Sequence, residues 1–150
     1  RVEIMVEIAV AGFTELLEKD FSIPVIGKDI QENFPRPAFI LQTENIEKDK
    51  IGLLDHVNFD LEIYYYGKSR NSGYAELYTI MQKMKNLLSH DRVIFSNGYI
   101  MPIEEIEFLL NRKDMVLLTT LKLDMVDEYT EPEYGNTAMM EELHTRLKGV

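Results

Sequence analysis

Three histidines are the side chains of this sequence best suited to acid–base chemistry: His56, His90 and His144. Two of them stand beside an aspartate, in the pairs Asp55-His56 and His90-Asp91. Adjacent residues point in different directions on a strand or a helix, and both pairs fall at the ends of predicted elements. Solvated or capping roles are therefore favoured over a catalytic acid–imidazole pair.

Other patterns of catalysis and cofactor binding do not occur in the sequence. The chain has no cysteine, which excludes disulfides, thiolate metal sites and a cysteine nucleophile. It also lacks the H-E-x-x-H zinc motif, the G-x-S-x-G nucleophile elbow and a phosphate-binding glycine loop. Acidic clusters occur at Glu104, Glu105 and Glu107 and at Glu131 and Glu133, but without calcium-loop spacing they are typical of solvated faces. We expect no enzyme activity, no cofactor and no metal.

Other side chains in the sequence are suited to contacts between proteins. The run Tyr64-Tyr65-Tyr66 lies in a period-two pattern, which directs Tyr65 to the core and leaves Tyr64 and Tyr66 on the opposite side. These two pack across strands or serve an interface, where aromatic side chains are enriched. Arg36 stands between two prolines and is either an exposed loop charge or an anchor for a carboxylate of a neighbouring subunit.

The last stretch of the chain adds further candidate contacts. Residues 128–136 are acidic and contain a proline and a glycine, which is typical of an extended linker. Residues 137–148 carry an apolar stripe at helical spacing. A short amphipathic helix beyond a linker is not stable alone, so it must dock on its own domain or on a neighbour. The candidate interface residues here are Tyr134, Met139, Met140, Leu143 and Leu147.

The elements that must position these side chains are organised around one strand. Residues 57–66 alternate apolar and polar side chains and predict a half-buried strand. Helices are predicted over residues 2–19 and 74–89, because apolar residues recur there at steps of three and four. A further strand is expected to begin after Pro37, and the charged residues 43–55 are expected to form a loop or a long hairpin tip.

The C-terminal half of the sequence predicts more strands. Asn97-Gly98 lies between two apolar runs and is a strong signal for a β-hairpin turn. Residues 102–110 are either the start of a helix, with Pro102 at its first position, or a hairpin arm. A polar turn after them and an alternating strand over residues 115–126 favour the arm. Because the first half of that strand is apolar on both sides, it is a central strand or one covered by a partner.

Length and composition fit one folded domain with an extension. At 150 residues, 45% hydrophobic and 28% charged, the chain is typical of a globular protein with a sizeable core. We expect an α+β domain over residues 1–129, with a mostly antiparallel sheet and two amphipathic helices packed on one face. A C-terminal linker and short helical tail are expected over residues 130–150. The net charge of −10 opposes specific nucleic-acid binding. No apolar run reaches the roughly 20 residues that span a bilayer, and no signal peptide is predicted.

The order of the predicted elements resembles that of a known family. An N-terminal amphipathic helix is followed by the proline-preceded strand Arg36-Pro37-Ala38-Phe39-Ile40, by a strand ending in aromatics, and by a helix leading to a C-terminal hairpin. This order resembles the tail terminator or tail-completion proteins of long-tailed phages, above all those of contractile-tailed phages, prophages and phage-tail-like bacteriocins. The resemblance covers about residues 2–129. The family's usual pattern is a proline followed by paired aromatics, whereas here Ala38 stands before Phe39.

The resemblance implies a small structural protein that assembles as a homo-oligomeric ring, expected to be a hexamer. Such a ring caps the tail tube and sheath, ends polymerisation and, in a complete phage, meets a head-completion protein. It implies no catalytic residues, and a place in a virion or tailocin particle assembled in the bacterial cytoplasm. Two alternatives stay open: a head-to-tail connector ring, and a small cytosolic enzyme or ligand-binding domain with a site at Tyr64, Tyr66, His56 and Glu62.

Overall fold

A computed structural model describes residues 2–27, 34–68 and 74–128 of the chain. Within these ranges the protein has an α+β fold of two helices and one six-stranded sheet, as the sequence predicts. The elements are α1 (Val2–Phe21), β1 (Val25–Ile26), β2 (Ala38–Ile51), β3 (Leu54–Tyr66), α2 (Tyr74–Leu87), β4 (Arg92–Ile94), β5 (Ile100–Asn111) and β6 (Val116–Glu128). The predicted C-terminal linker and tail lie outside the described residues.

The strands follow the order β1-β2-β3-β6-β5-β4 in the sheet. β1 pairs with β2 in parallel through Val25 and Ile26, and each of the other neighbouring pairs is antiparallel. The expected mostly antiparallel sheet is thereby confirmed. β6 lies between β3 and β5, so it is the central strand that its doubly apolar first half indicated.

β3 contains the predicted organising strand and keeps its alternation without a break. Val57, Phe59, Leu61, Ile63 and Tyr65 are each at most 2% exposed and join buried residues of both helices in one hydrophobic core. The side chains between them point the other way. We call that side the outer face of the sheet. In β3 its residues are Leu54, His56, Asn58, Asp60, Glu62, Tyr64 and Tyr66.

The stretch predicted as a loop or a long hairpin tip is a hairpin of two long strands. β2 continues to Ile51 and turns back through Gly52 and Leu53 into β3. Asn45 lies in a bulge of β2 at a φ of 55°, and its Nδ2 donates a hydrogen bond of 2.8 Å to Asp60 Oδ2. The loop alternative is therefore wrong, because the charged residues are the solvated side chains of a paired strand. We call residues 45–58, the outer part of this hairpin, the arm.

α1 begins as predicted and extends two residues beyond Lys19. Its last residue, Phe21, contacts Phe39 of β2 at a ring distance of 5.2 Å, which provides a reason for the extra residues. Gly12 lies against the ring of Phe95, so closely that a Cβ atom on Gly12 would be 2.5 Å from that ring. Glycine normally weakens a helix interior, but here its missing side chain makes room for an aromatic ring.

The β4–β5 hairpin forms at the predicted turn. Gly98 has a φ of 87°, a backbone conformation that favours glycine, and its N–H donates to the carbonyl of Phe95 at 2.9 Å. Residues 102–110 belong to β5, which confirms the hairpin arm and excludes the helix start at Pro102.

Candidate interaction surface

The outer face of the sheet brings together three of the predicted interface residues at one end. The rings of Tyr64 and Tyr66 are stacked, with centroids 6.4 Å apart and planes inclined by 25°. The guanidinium carbon of Arg36 lies 5.5 Å from the centre of the Tyr66 ring and 5.9 Å from that of Phe34. Phe34 in turn meets Tyr66 edge to face at 4.9 Å. We call Phe34, Arg36, Tyr64 and Tyr66 the aromatic cluster.

The sequence left Arg36 as either an exposed loop charge or an anchor for a neighbouring subunit, and the structure adds its contacts within the protomer. Its side chain is exposed, and Nη1 donates to the carbonyl oxygen of Gly67 at 3.5 Å. Contact with two rings favours this position of the guanidinium by about 0.5–1 kcal/mol at an exposed site. The cation is therefore exposed on its loop with a preferred position beside the rings.

The two neighbouring tyrosines Tyr64 and Tyr65 use their hydroxyl groups differently. Tyr64 Oη donates to Glu62 Oε2 at 2.5 Å, and this hydrogen bond, with partial burial, raises the pKa of Tyr64 to about 12. Tyr65 points into the core, where burial and a 2.6 Å hydrogen bond to Glu76 Oε1 raise its pKa. The predicted opposite orientations of Tyr64 and Tyr65 are confirmed, and Tyr65 has a structural role.

At the other end of the outer face, His56 lies between carboxylates from two neighbouring strands. Its Nδ1 is 2.5 Å from Asp49 Oδ1 of β2, and its Nε2 contacts Asp124 Oδ1 of β6. The Asp49 hydrogen bond, assisted by Asp124 and opposed by burial, raises the pKa of His56 above 6.5. Asp55 faces the core side and is buried, so the adjacent pair does not act together. A solvated or capping role for His56 is wrong, because the imidazole links three strands.

Acidic side chains surround this histidine. A shallow polar depression of about 280 Å³ is lined by His56, Glu47, Asp60 and Asp124, among others. Lys122 Nζ lies nearby, 3.2 Å from Glu105 Oε2 of β5. The outer face thus changes from aromatic at one end to acidic at the other, with cation and anion paired between them.

The structure does not bring together the four residues named in the third sequence alternative, because His56 lies apart from Glu62, Tyr64 and Tyr66. His56 and Tyr64 are eight residues apart on one extended strand, a separation of about 27 Å. The depression at His56 does not include Tyr64, Tyr66 or Glu62. Within the described ranges, no group of three or more His, Cys, Asp or Glu side chains is arranged to hold a metal ion.

The remaining predicted contacts are outside the part of the chain that the structure describes. They are Tyr134, Met139, Met140, Leu143 and Leu147. Conversely, sequence reasoning missed Phe34 and the apolar tip of the arm, where Leu53 is 80% exposed. Gly52 was the available signal for that tip, because a glycine inside a long polar run marks a tight turn.

The fold and this surface define the class: a small α+β protein whose sheet carries an aromatic cluster and acidic side chains on its outer face. None of the described helices is long and apolar enough to cross a membrane. The chain matches the family model described as phage tail terminator protein over residues 10–135, and no curated protein matches it. Since that match covers more than half of the 150 residues, the chain belongs to the phage tail terminator family. The resemblance seen in the sequence is confirmed, and the protein is a structural component of a phage tail.

Proposed function

We propose that this protein ends tail polymerisation as a ring of identical subunits, expected to be a hexamer, which caps the tube and sheath of a contractile phage tail or tailocin. The observation that carries the proposal is the family match over residues 10–135. The mechanism is geometric. A closed ring of heterologous contacts presents one surface that fits the last tube or sheath ring, and its other surface no longer fits, so addition stops.

The chemistry of the outer face supports this function. In the proposed arrangement both helices pack on the core face, which leaves the outer face to partners. Tyr64, Tyr66 and Arg36 then act as interface residues, with the aromatic rings as rigid anchors and the guanidinium held for a partner carboxylate. Aromatic and arginine side chains of this kind dominate the binding energy of protein interfaces.

The end of β6 supports a second contact. Glu128 pairs with Leu54, so the chain leaves the sheet at the outer end of the arm. The 22 residues that follow therefore start at the extremity of the sheet. We place the apolar stripe of residues 137–148 on a neighbouring subunit or on the sheath, as the sequence led us to expect.

The test is the mass of the purified protein by light scattering, with imaging of particles by electron microscopy. We expect rings of roughly six 17.5 kDa protomers. Replacing both Tyr64 and Tyr66 by alanine should shift the protein to smaller species without unfolding it. Tyr78→Ala, at an exposed tyrosine of α2, is the matched control and should leave the rings intact. A wild-type protein that stays monomeric with tube and sheath proteins present would contradict the proposal.

A separate deletion variant tests the role of the C-terminal tail. Removing Thr130–Val150 should leave the domain folded, by circular dichroism, and abolish ring formation or attachment to the tail. Unchanged assembly, or loss of folding, would count against a role of the tail between subunits. Recovery of portal or capsid components in place of tube and sheath would favour the connector alternative.

A further inference from the structure

We propose that the tip of the arm inserts into an apolar groove of the neighbouring copy in the ring. The tip is Ile51-Gly52-Leu53, and the groove lies between α1 and the β1–β2 edge of the sheet. This inference rests on the proposed function, and it specifies which two surfaces meet.

The tip exposes two large apolar side chains that lie outside the core formed by the described residues. Leu53 is 80% exposed and Ile51 53% exposed, side by side at the end of the hairpin. Gly52 has a φ of 62° at the first central position of the two-residue turn, which holds the turn tight. Ile46, further down the arm, is also exposed. A well-defined turn that presents adjacent aliphatic groups to solvent is suited to entering a hydrophobic recess.

A recess of suitable chemistry exists on the same protein. The groove has a volume of about 530 Å³ and is lined mainly by apolar side chains. Val6, Val10 and Ala11 of α1 form one wall, and Ile26 and Leu41 contribute to the other. β1 is the edge strand beside the groove and pairs with Phe39 and Ile40 of β2. Its volume lies within the roughly 300–1,000 Å³ of pockets that enclose small organic groups.

Charges beside the two surfaces are complementary. Lys48 is exposed on the arm, three residues before Ile51. Glu7 lines the groove, and Glu3 is exposed one helical turn before it. The arm as a whole carries three acidic and two basic residues, so the complementarity is local to Lys48 and the glutamates of α1. An ion pair between Lys48 and Glu7 of the neighbouring copy would favour one orientation of the contact.

The geometry directs the tip to another copy. Leu41 of the groove and Ile51 of the tip belong to the same strand and are ten residues apart, so about 33 Å separates them in one protomer. Pairing keeps the arm extended along the sheet, so it does not fold back over that distance. Contact between two different surfaces is heterologous, and a repeated heterologous contact closes a ring when the rotation between copies allows it.

Cross-linking tests the inference directly, because the chain has no cysteine. Leu53→Cys and Ala11→Cys both place a thiol at an exposed position. A protein carrying both changes should give, on mild oxidation, a ladder of covalent oligomers on a non-reducing gel. Each single variant alone should stay monomeric, and a mixture of the two should stop at dimers. A disulfide requires Cα atoms within about 7 Å, so the ladder reports close contact.

The control is Ala11→Cys combined with Leu109→Cys, an exposed residue of β5 outside both surfaces, which should give no ladder. Rings in the light-scattering experiment without a Leu53–Ala11 ladder would overturn this inference and leave the proposed function standing. Absence of rings would remove the proposed function itself. A fast-migrating monomer, from a link within one chain, or a ladder only between Ala11→Cys and Met140→Cys would assign the groove to another segment and overturn the inference.

A single substitution measures how much the tip contributes to association between subunits. Leu53→Asp should weaken association about tenfold or more, as removal of a central apolar anchor does. The unfolding midpoint of the isolated subunit should not change, since Leu53 is outside the core. Equal association of Leu53→Asp and wild type would overturn the inference as well.

Discussion

The two faces of β3 differ in chemistry although their residues alternate along one strand. On the core face, Leu61 and its neighbours two residues away are apolar and almost completely buried. On the outer face, Glu62 is half-buried and polar, with tyrosines toward one strand end and His56 toward the other. A shift of one residue in register would exchange these faces, so the core face fixes the register. The outer face is then free to carry groups that stability does not require.

The strongest test of this division is a pair of adjacent substitutions. Leu61→Ala should lower the free energy of unfolding by about 2–5 kcal/mol, because it removes a fully buried side chain and leaves a cavity. Glu62→Ala should cost only about 1 kcal/mol or less, the net contribution of a typical hydrogen bond such as that from Tyr64. Chemical denaturation of the isolated subunit measures both values. Similar losses from the two variants would show that the outer face is also part of the core.

A second test concerns how tightly the core is packed where α1 contacts the β4–β5 hairpin. Replacing glycine by alanine inside a helix normally stabilises it by about 1 kcal/mol. Gly12→Ala should instead destabilise the protein by about 1–2 kcal/mol, because the new Cβ overlaps the buried ring of Phe95 and overpacking is costly. That ring is also fixed by an edge contact with Phe13 at 5.2 Å.

The thermal unfolding midpoint measures the effect of Gly12→Ala. Phe95→Leu provides the control, since it shortens the obstructing side chain. Combining it with Gly12→Ala should cost less than the sum of the single changes. A more stable Gly12→Ala protein would mean that Phe95 moves aside freely.

The sequence predicted elements that depend on local patterns better than elements that depend on contacts between residues far apart in the chain. The alternation of β3 and the apolar stripes of α1 and α2 are local periodicities, and these elements were predicted nearly to their ends. The arm was left open because its charged residues have no periodicity of their own. Its strand conformation is determined by pairing with β3, whose other edge pairs with β6. Pairing of that kind depends on residues far apart in sequence.

On the candidate surface, too, local features were predicted from the sequence and long-range contacts were not. Arg36, Tyr64 and Tyr66 were recognised singly from residue type and alternation, whereas their stacking with Phe34 depends on contacts across some 30 residues of chain. The partners of His56 were missed because Asp49 and Asp124 lie 7 and 68 residues away. The adjacent Asp55, which the sequence does show, points to the other side.

The smallest predicted effect concerns the outer face alone and is a pH dependence. His56 faces Asp49 from β2 and Asp124 from β6, and these carboxylates favour its protonated form in the folded state. Its folded pKa is therefore raised above 6.5. The stabilisation from His56 is fully present at pH values below the pKa of this residue in the unfolded chain. It is lost as the pH rises through the pKa of His56 in the folded protein, because the folded state binds more protons than the unfolded state between these two values. Asp49 is 68% exposed, so solvent screening keeps the effect modest.

Urea unfolding of the isolated subunit at a series of pH values above 6 measures this dependence. We expect the free energy of unfolding to decline with pH in the wild type and to be flatter in His56→Gln, which removes the titrating group. His90→Gln, at an exposed histidine, should keep the wild-type decline. Added salt should reduce the wild-type slope, because the charges of this group are partly exposed. An equal slope in His56→Gln and wild type would mean that the three strands are held together at this end by backbone pairing alone.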